Sequence, residues 1–133
     1  FDARALEESG LETVAGIAEV LAAQSAIRQT HLSNAVRRYI YEIVAATRRH
    51  RRLALGASPR SALALLTCTQ VAAAIDGRDF ATPDDVKQTA PYVLPHRLIV
   101  VPEAEIEGLR SNDVLRDILE SVEIPHESQA VTA

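Results

Sequence analysis

The sequence predicts an all-α protein, a bundle of four to five helices with at most one short extended or two-stranded element. Three observations carry this expectation. Apolar residues fill 47% of the 133 positions but aromatics only 4%, and the small aliphatics that dominate favour closely packed helices. Apolar residues recur at helical spacing in most segments between turn signals. Two helix starts, Ser58-Pro59 and Thr82-Pro83, pair a capping hydroxyl with a proline at the first helical position, where its missing N–H costs nothing.

Residues 1–10 are mixed and predict a lead-in segment, with a helical turn from Ala5 to Ser9 stopped by Gly10. From Glu12 to Ala26, the residues Val14, Ile17, Ala18, Leu21 and Ser25 share one helical face. Ile27 to Leu32 alternates apolar and polar residues and reads as an extended connector, ended by Ser33 as N-cap. The next helix buries Val36, Ile40, Ile43, Val44 and Thr47, and its arginine-rich end complements the negative pole of the helix dipole. From Pro59 to Ile75 the chain is apolar nearly all round, the mark of a central helix, and Asp76-Gly77 closes it. Thr82 then caps a helix with Asp84 and Asp85 in its first turn, where negative charge is favoured.

Pro91 and Pro95 bend or shorten the next stretch, so Val93 to Arg97 is expected as a separate turn or short helix. Leu98 to Val101, ended by Pro102, predicts a short strand or extended arm that can pair with Leu53 to Leu55. Ser111 is expected to cap a last helix carrying Val114, Leu115, Ile118 and Leu119, and residues 123–133 have the composition of a flexible tail. The expected domain is therefore 1–122, one core's worth of chain, able to bury about two thirds of its unfolded surface without disulfides.

Most chemistries are excluded by what is missing. There is no GxxxxGK[ST] phosphate loop, and His31, His50, His96 and His126 lack metal-ligand spacing. Cys68 stands alone in an apolar helix and is expected buried and inert, and the adjacent acids Glu7-Glu8 and Asp84-Asp85 do not face each other on a helix. No apolar run reaches the roughly 18 residues that cross a bilayer. A net charge of −4 argues against a general nucleic-acid binder, including a helix-turn-helix protein using the cluster Arg48, Arg49, Arg51 and Arg52. That cluster reads either as a dipole-complementing helix end or as a partner-binding patch. A single free cysteine suits a reducing cytoplasm, and the absence of Met predicts a piece of a longer protein.

One polar placement stands out. With Ser58 as N-cap and Pro59 first in the helix, Arg60 falls at the second position, where a cation opposes the helix dipole by about 0.3–1 kcal/mol. It is either a solvated arginine on an ordinary cap or half of an anion site, and phosphate is the usual anion at a helix start.

The succession Tyr39-Ile40, Thr47-Arg48, Leu55-Gly56-Ala57-Ser58-Pro59-Arg60-Ser61, Gly77-Arg78-Asp79-Phe80-Ala81-Thr82-Pro83-Asp84-Asp85-Val86 and Leu94-Pro95-His96-Arg97-Leu98 resembles the C-terminal lid of MoxR-family AAA+ ATPases. It extends from about Leu11 to Val122, and the GASPR and GRDFATPDDV elements are specific in combination and order. The resemblance implies a helical lid packed on a nucleotide-binding core that precedes it. It further implies that Arg60 is the sensor 2 arginine reaching the terminal phosphates of ATP, with Ser58 fixing the turn that presents it. ATP and Mg would be cofactors of the full-length protein, with none held by the isolated chain and no hydrolysis by it. The implied partners are the N-terminal AAA+ core, neighbouring subunits of a ring and a protein client, with no membrane and no nucleic acid. The implied work is chaperone-like remodelling or metal insertion. Ala3 replaces a proline common in the family, Pro95 replaces a frequent basic residue, and the loop after Arg48 is unusually arginine-rich. The competing expectation is a stand-alone helical interaction module, histone-fold-like or adaptor, without nucleotide chemistry.

Overall fold

The computed structural model describes residues 10–125. Five helices of eleven residues or more form the bundle: α1 (Ile17–Gln29), α2 (Asn34–Arg49), α3 (Pro59–Ile75), α4 (Pro83–Val93) and, after the five-residue α5 (Pro102–Ile106), α6 (Ser111–Ser121). One small antiparallel sheet joins β1 (Leu53–Leu55) to β2 (Ile99–Val100), with Leu53 opposite Val100 and Leu55 opposite Ile99. The all-α bundle with a two-stranded element is thus the observed architecture. The turn expected at Ala5–Ser9 and the tail from residue 126 onward lie outside the described residues.

Helix α1 begins later than Glu12 and continues through Ile27–Gln29, where an extended connector was expected. Its start is set by Gly16, whose N–H donates to Glu19 Oε2 at 2.7 Å. Its end is set from outside the segment. Gln70 Nε2 of α3 donates to the Thr30 carbonyl at 2.9 Å. The next residue, His31, bridges the α3–α4 connection, donating its N–H to Asp79 O and accepting from Ala81 N–H. Only then does Ser33 cap α2, accepting the Val36 N–H at 3.3 Å. Replacing Ser33 by alanine is expected to cost about 1 kcal/mol. Thermal unfolding followed by circular dichroism should show this as a fall in Tm of about 4 °C.

Several termini differ from expectation for local reasons. Helix α4 runs through Pro91 and ends at Val93. Pro91 and Lys87, whose carbonyl loses its partner, are both exposed, so water can satisfy that oxygen. A single 3₁₀ turn, Pro95–Arg97, then leads into β2. Pro102, expected only to end a strand, starts α5 from its first position. Ser111 lies inside α6 rather than capping it. Arg110 is the N-cap, and its N–H donates to Asp113 Oδ2 at 3.0 Å.

The core is built from Val36, Tyr39, Ile40 and Ile43 of α2, Leu65 of α3, Val86 and Ala90 of α4, and Val114, Leu115 and Ile118 of α6. Helix α3 touches α1, α2 and α4, as a central helix should. Its apolar composition is nevertheless not used all round. The buried stripe is Ser61, Leu65, Thr69 and Ala73, at four-residue spacing, while Leu63 and Ile75 are exposed. Small residues on that stripe let α4 come close, and Thr69 Oγ1 lies 3.3 Å from Thr89 Oγ1 across the contact. Cys68, expected buried, is half-buried against the core. No described helix is long and apolar enough to cross a membrane.

Candidate functional site

The start of α3 is where chemistry and uncovered surface coincide. Ser58 takes an extended backbone, φ −81° and ψ 164°, and its hydroxyl accepts the Ser61 N–H at 3.3 Å, so it is the cap that its position predicts. The Ser58 and Ser61 hydroxyl oxygens also lie 3.1 Å apart. Ser61 is fully buried, so this pair pins the first turn from the inside. Pro59 has no N–H and Ser61's is taken, which leaves the Arg60 amide without an intrahelical acceptor.

Arg60 itself is exposed, and among the described residues its side chain makes no hydrogen bond and no ion pair. One turn further along the same face Leu63 is 66% exposed, and Thr67 follows. The open face of α3 therefore carries a free guanidinium next to a large apolar side chain. Helix α1 is open as well. None of its residues is buried, and Ile17 and Leu21, on the face expected to pack, are 82% and 59% exposed. Uncovered apolar surface of this kind marks a docking site for another body.

The position of the α3 start is fixed by residues not singled out as a site from the sequence. Thr47, at the end of α2, is buried and donates its hydroxyl to Val44 O at 2.6 Å. The same oxygen accepts the N–H of buried Ala57 at 2.9 Å. Gly56 lies against the last turn of α2 so closely that a Cβ there would stand 2.6 Å from Arg48 Cα. Backbone thus packs on backbone immediately before the cap. Thr47 was legible as an inward residue of α2. That its hydroxyl reaches ten residues ahead was not.

The other charged elements divide cleanly. Arg48, Arg49 and Arg51 are exposed, and Arg49 approaches Glu42 only at 3.9 Å, so the basic cluster is a solvated surface beside the α3 start. Arg48 and Arg49, with Tyr41, Val44, Pro59 and Ala62, line a cavity of about 290 Å³ between α2 and α3. Just beyond the opposite end of α3, Arg78 forms a two-pronged pair with buried Asp85, Nη1 to Oδ2 at 2.9 Å and Nη2 to Oδ1 at 2.6 Å. Arg78 also holds Asp76 and the Phe80 carbonyl. The Asp85 carboxylate also accepts from the Thr82 N–H and hydroxyl, and the Arg78 guanidinium together with these donors lowers its pKa to about 2. The sequence identified Asp85 as a dipole-favoured acid and missed this clamp; the Gly-Arg-Asp-Phe turn was its only signal. Among the described residues no three His, Cys, Asp or Glu side chains are placed to share a metal ion.

Comparison with known proteins gives the family of the fold. The family model described as the AAA lid domain matches residues 45–118. The chain is 36% identical over 121 residues to the uncharacterized protein YeaC of Bacillus subtilis, covering 91% of this chain and 38% of that protein. It is 29% identical over 116 residues to the chaperone MoxR1 of Mycobacterium tuberculosis, covering 80% of this chain and 31% of that one. A crystal structure of a protein from Cytophaga hutchinsonii assigned as an ATPase superposes with a TM-score of 0.79 at 31% identity, over 82% of this chain and 36% of its own length. The chain thus spans about a third of the length of these relatives. The chain belongs to the AAA lid domain family, as a lid of the MoxR type.

Proposed function

We propose that this domain closes over ATP held by a nucleotide-binding core, with Arg60 as the sensor 2 residue that contacts the terminal phosphates. The observation that carries the reading is the unpaired Arg60 guanidinium on the first turn of α3, beside apolar surface that nothing in the bundle covers. The side chain and its free amide suit a phosphate oxygen. Among the described residues no group of carboxylates is placed to hold a metal ion, and magnesium would be held by the core while Arg60 would supply positive charge from the lid side. Ser58 would act indirectly, by fixing the turn. A cation on a packed helix converts phosphate loss into movement of the whole helix and the bundle behind it.

The lid would thereby couple hydrolysis to motion between subunits of a ring, in the service of chaperone-like remodelling or metal insertion. The core would pack against the open faces of α1 and α3, and the domain proper would be residues 1–122, with 1–10 leading in from the core and 123–133 a tail. By itself the chain would neither bind nor hydrolyse ATP, and the cytoplasm is the expected compartment.

Removing a charge-assisted hydrogen bond costs about 1.5–3 kcal/mol, so Arg60→Ala in the full-length protein is expected to lower ATP turnover about tenfold or more. Circular dichroism should show the fold intact, because Arg60 touches nothing that holds the bundle together. Wild-type turnover together with wild-type nucleotide affinity would rule the sensor role out and leave a helical interaction module.

A further inference from the structure

Resting on the nucleotide reading of Arg60 above, the geometry points to Thr47 as a positioning residue for that arginine. Thr47 is 1% exposed, and its hydroxyl is used in both directions. The proton goes to Val44 O at 2.6 Å, which turns a lone pair toward the Ala57 N–H at 2.9 Å. Ala57 precedes the cap residue Ser58 and stands three positions before Arg60. The hydroxyl therefore ties the last turn of α2 to the residue before the α3 cap, across a segment that runs from Arg48 and Arg49 at the end of α2 through Arg51 and Arg52 of the connector.

The rest of that connector is held elsewhere. The Leu53 N–H donates to His50 O, the Val101 N–H donates to Arg52 O, and β1 pairs with β2. These contacts fix the arginine-rich loop to the sheet and leave the α3 start to Thr47 and to the close approach of Gly56. Ser58 caps whatever turn it is given, because its side-chain bonds go only to Ser61. Thr47 decides where that turn sits relative to α2. Valine at 47 keeps the branched shape and removes the acceptor, so the buried Ala57 N–H must move to find another and carries the cap with it. Serine keeps the hydroxyl and the tie.

The test is a double-mutant cycle on the full-length protein, with steady-state ATP turnover and KM for ATP measured for the wild type, Thr47→Val, Thr47→Ser, Arg60→Ala and Thr47→Val combined with Arg60→Ala. Thr47→Val is expected to lower kcat about fivefold, since small displacements of a contacting group carry large rate costs. It should add nothing once Arg60 is absent, and Thr47→Ser should stay near wild type. Equal losses from Thr47→Val in both backgrounds, or no loss in either, overturn the positioning role while leaving the sensor role standing. A silent Arg60→Ala overturns the sensor reading and the positioning role with it. Should the valine variant lose its helical signal, Thr47→Ala, which removes the same two bonds without a second methyl to fit, takes its place in the cycle.

Discussion

Gly56→Ala is expected to destabilise the domain by about 3 kcal/mol or more, at the upper end of what overpacking ordinarily costs. The added methyl would stand 2.6 Å from Arg48 Cα, 2.7 Å from Arg48 N and 2.7 Å from Thr47 C. All three are backbone atoms of a helical turn, so no rotamer change can relieve the contact. Either α2 and the connector separate, which breaks the Thr47–Ala57 tie, or the last turn of α2 unwinds. A fall in Tm of about 12 °C or more is the corresponding readout. Gly77 supplies the comparison. It adopts φ +73°, and a Cβ added there would have nothing within 4 Å, so alanine meets only the left-handed backbone penalty of about 1 kcal/mol. If the two variants melt together, the close approach at Gly56 is not what holds α3 in place.

Asp85→Ala is expected to cost about 2–3 kcal/mol, read as a fall in Tm of about 10 °C. The carboxylate is 3% exposed and receives both prongs of Arg78 together with the Thr82 N–H and hydroxyl. Removing it leaves the α4 start without its cap and Arg78 without its main partner. The Arg78 side chain is 28% exposed, so water recovers part of what it loses, and the cost stays below that of a fully buried pair.

The same residue sets an acid response. Its folded pKa is about 2 against an ordinary 3.8, so the unfolded chain takes up the proton first as pH falls. The stability from this pair is therefore complete above about pH 4 and is lost between pH 4 and pH 2. Asp85→Asn cannot titrate and should show a shallower loss of stability across that window in urea melts taken at each pH. Equal slopes for the two proteins would assign acid sensitivity to other carboxylates.

Gly56 stands just before α3 and Asp85 in the first turn of α4, and these two helix starts show what the sequence carries. Ser58-Pro59 and Thr82-Pro83 announce helix starts because capping is chemistry between residues three or four apart. The start of α2 and the bounds of α3 were legible from the same caps, the inward face of α2 from helical spacing, and the two strand segments from their apolar runs. The misplaced cation at Arg60 was visible as a local anomaly. Its significance came from the resemblance of the whole ordered set of elements to a MoxR-type lid.

What the sequence could not show depends on contacts between distant segments. The end of α1 is decided by Gln70 reaching Thr30 and by the bridge from His31 to the α3–α4 connection. Cys68 and Leu63 look like core by composition, yet the first is half-buried and the second exposed, because only one stripe of α3 is covered within this chain. Local sequence thus determined the starts of α2, α3 and α4 and the fact that a cation stands at the head of α3. Tertiary structure alone decided that a threonine hydroxyl and a glycine without a side chain hold that head against α2. Hydrogen bonds within one turn are written in short-range spacing, whereas a close approach of two backbones exists only once the chain has folded back on itself.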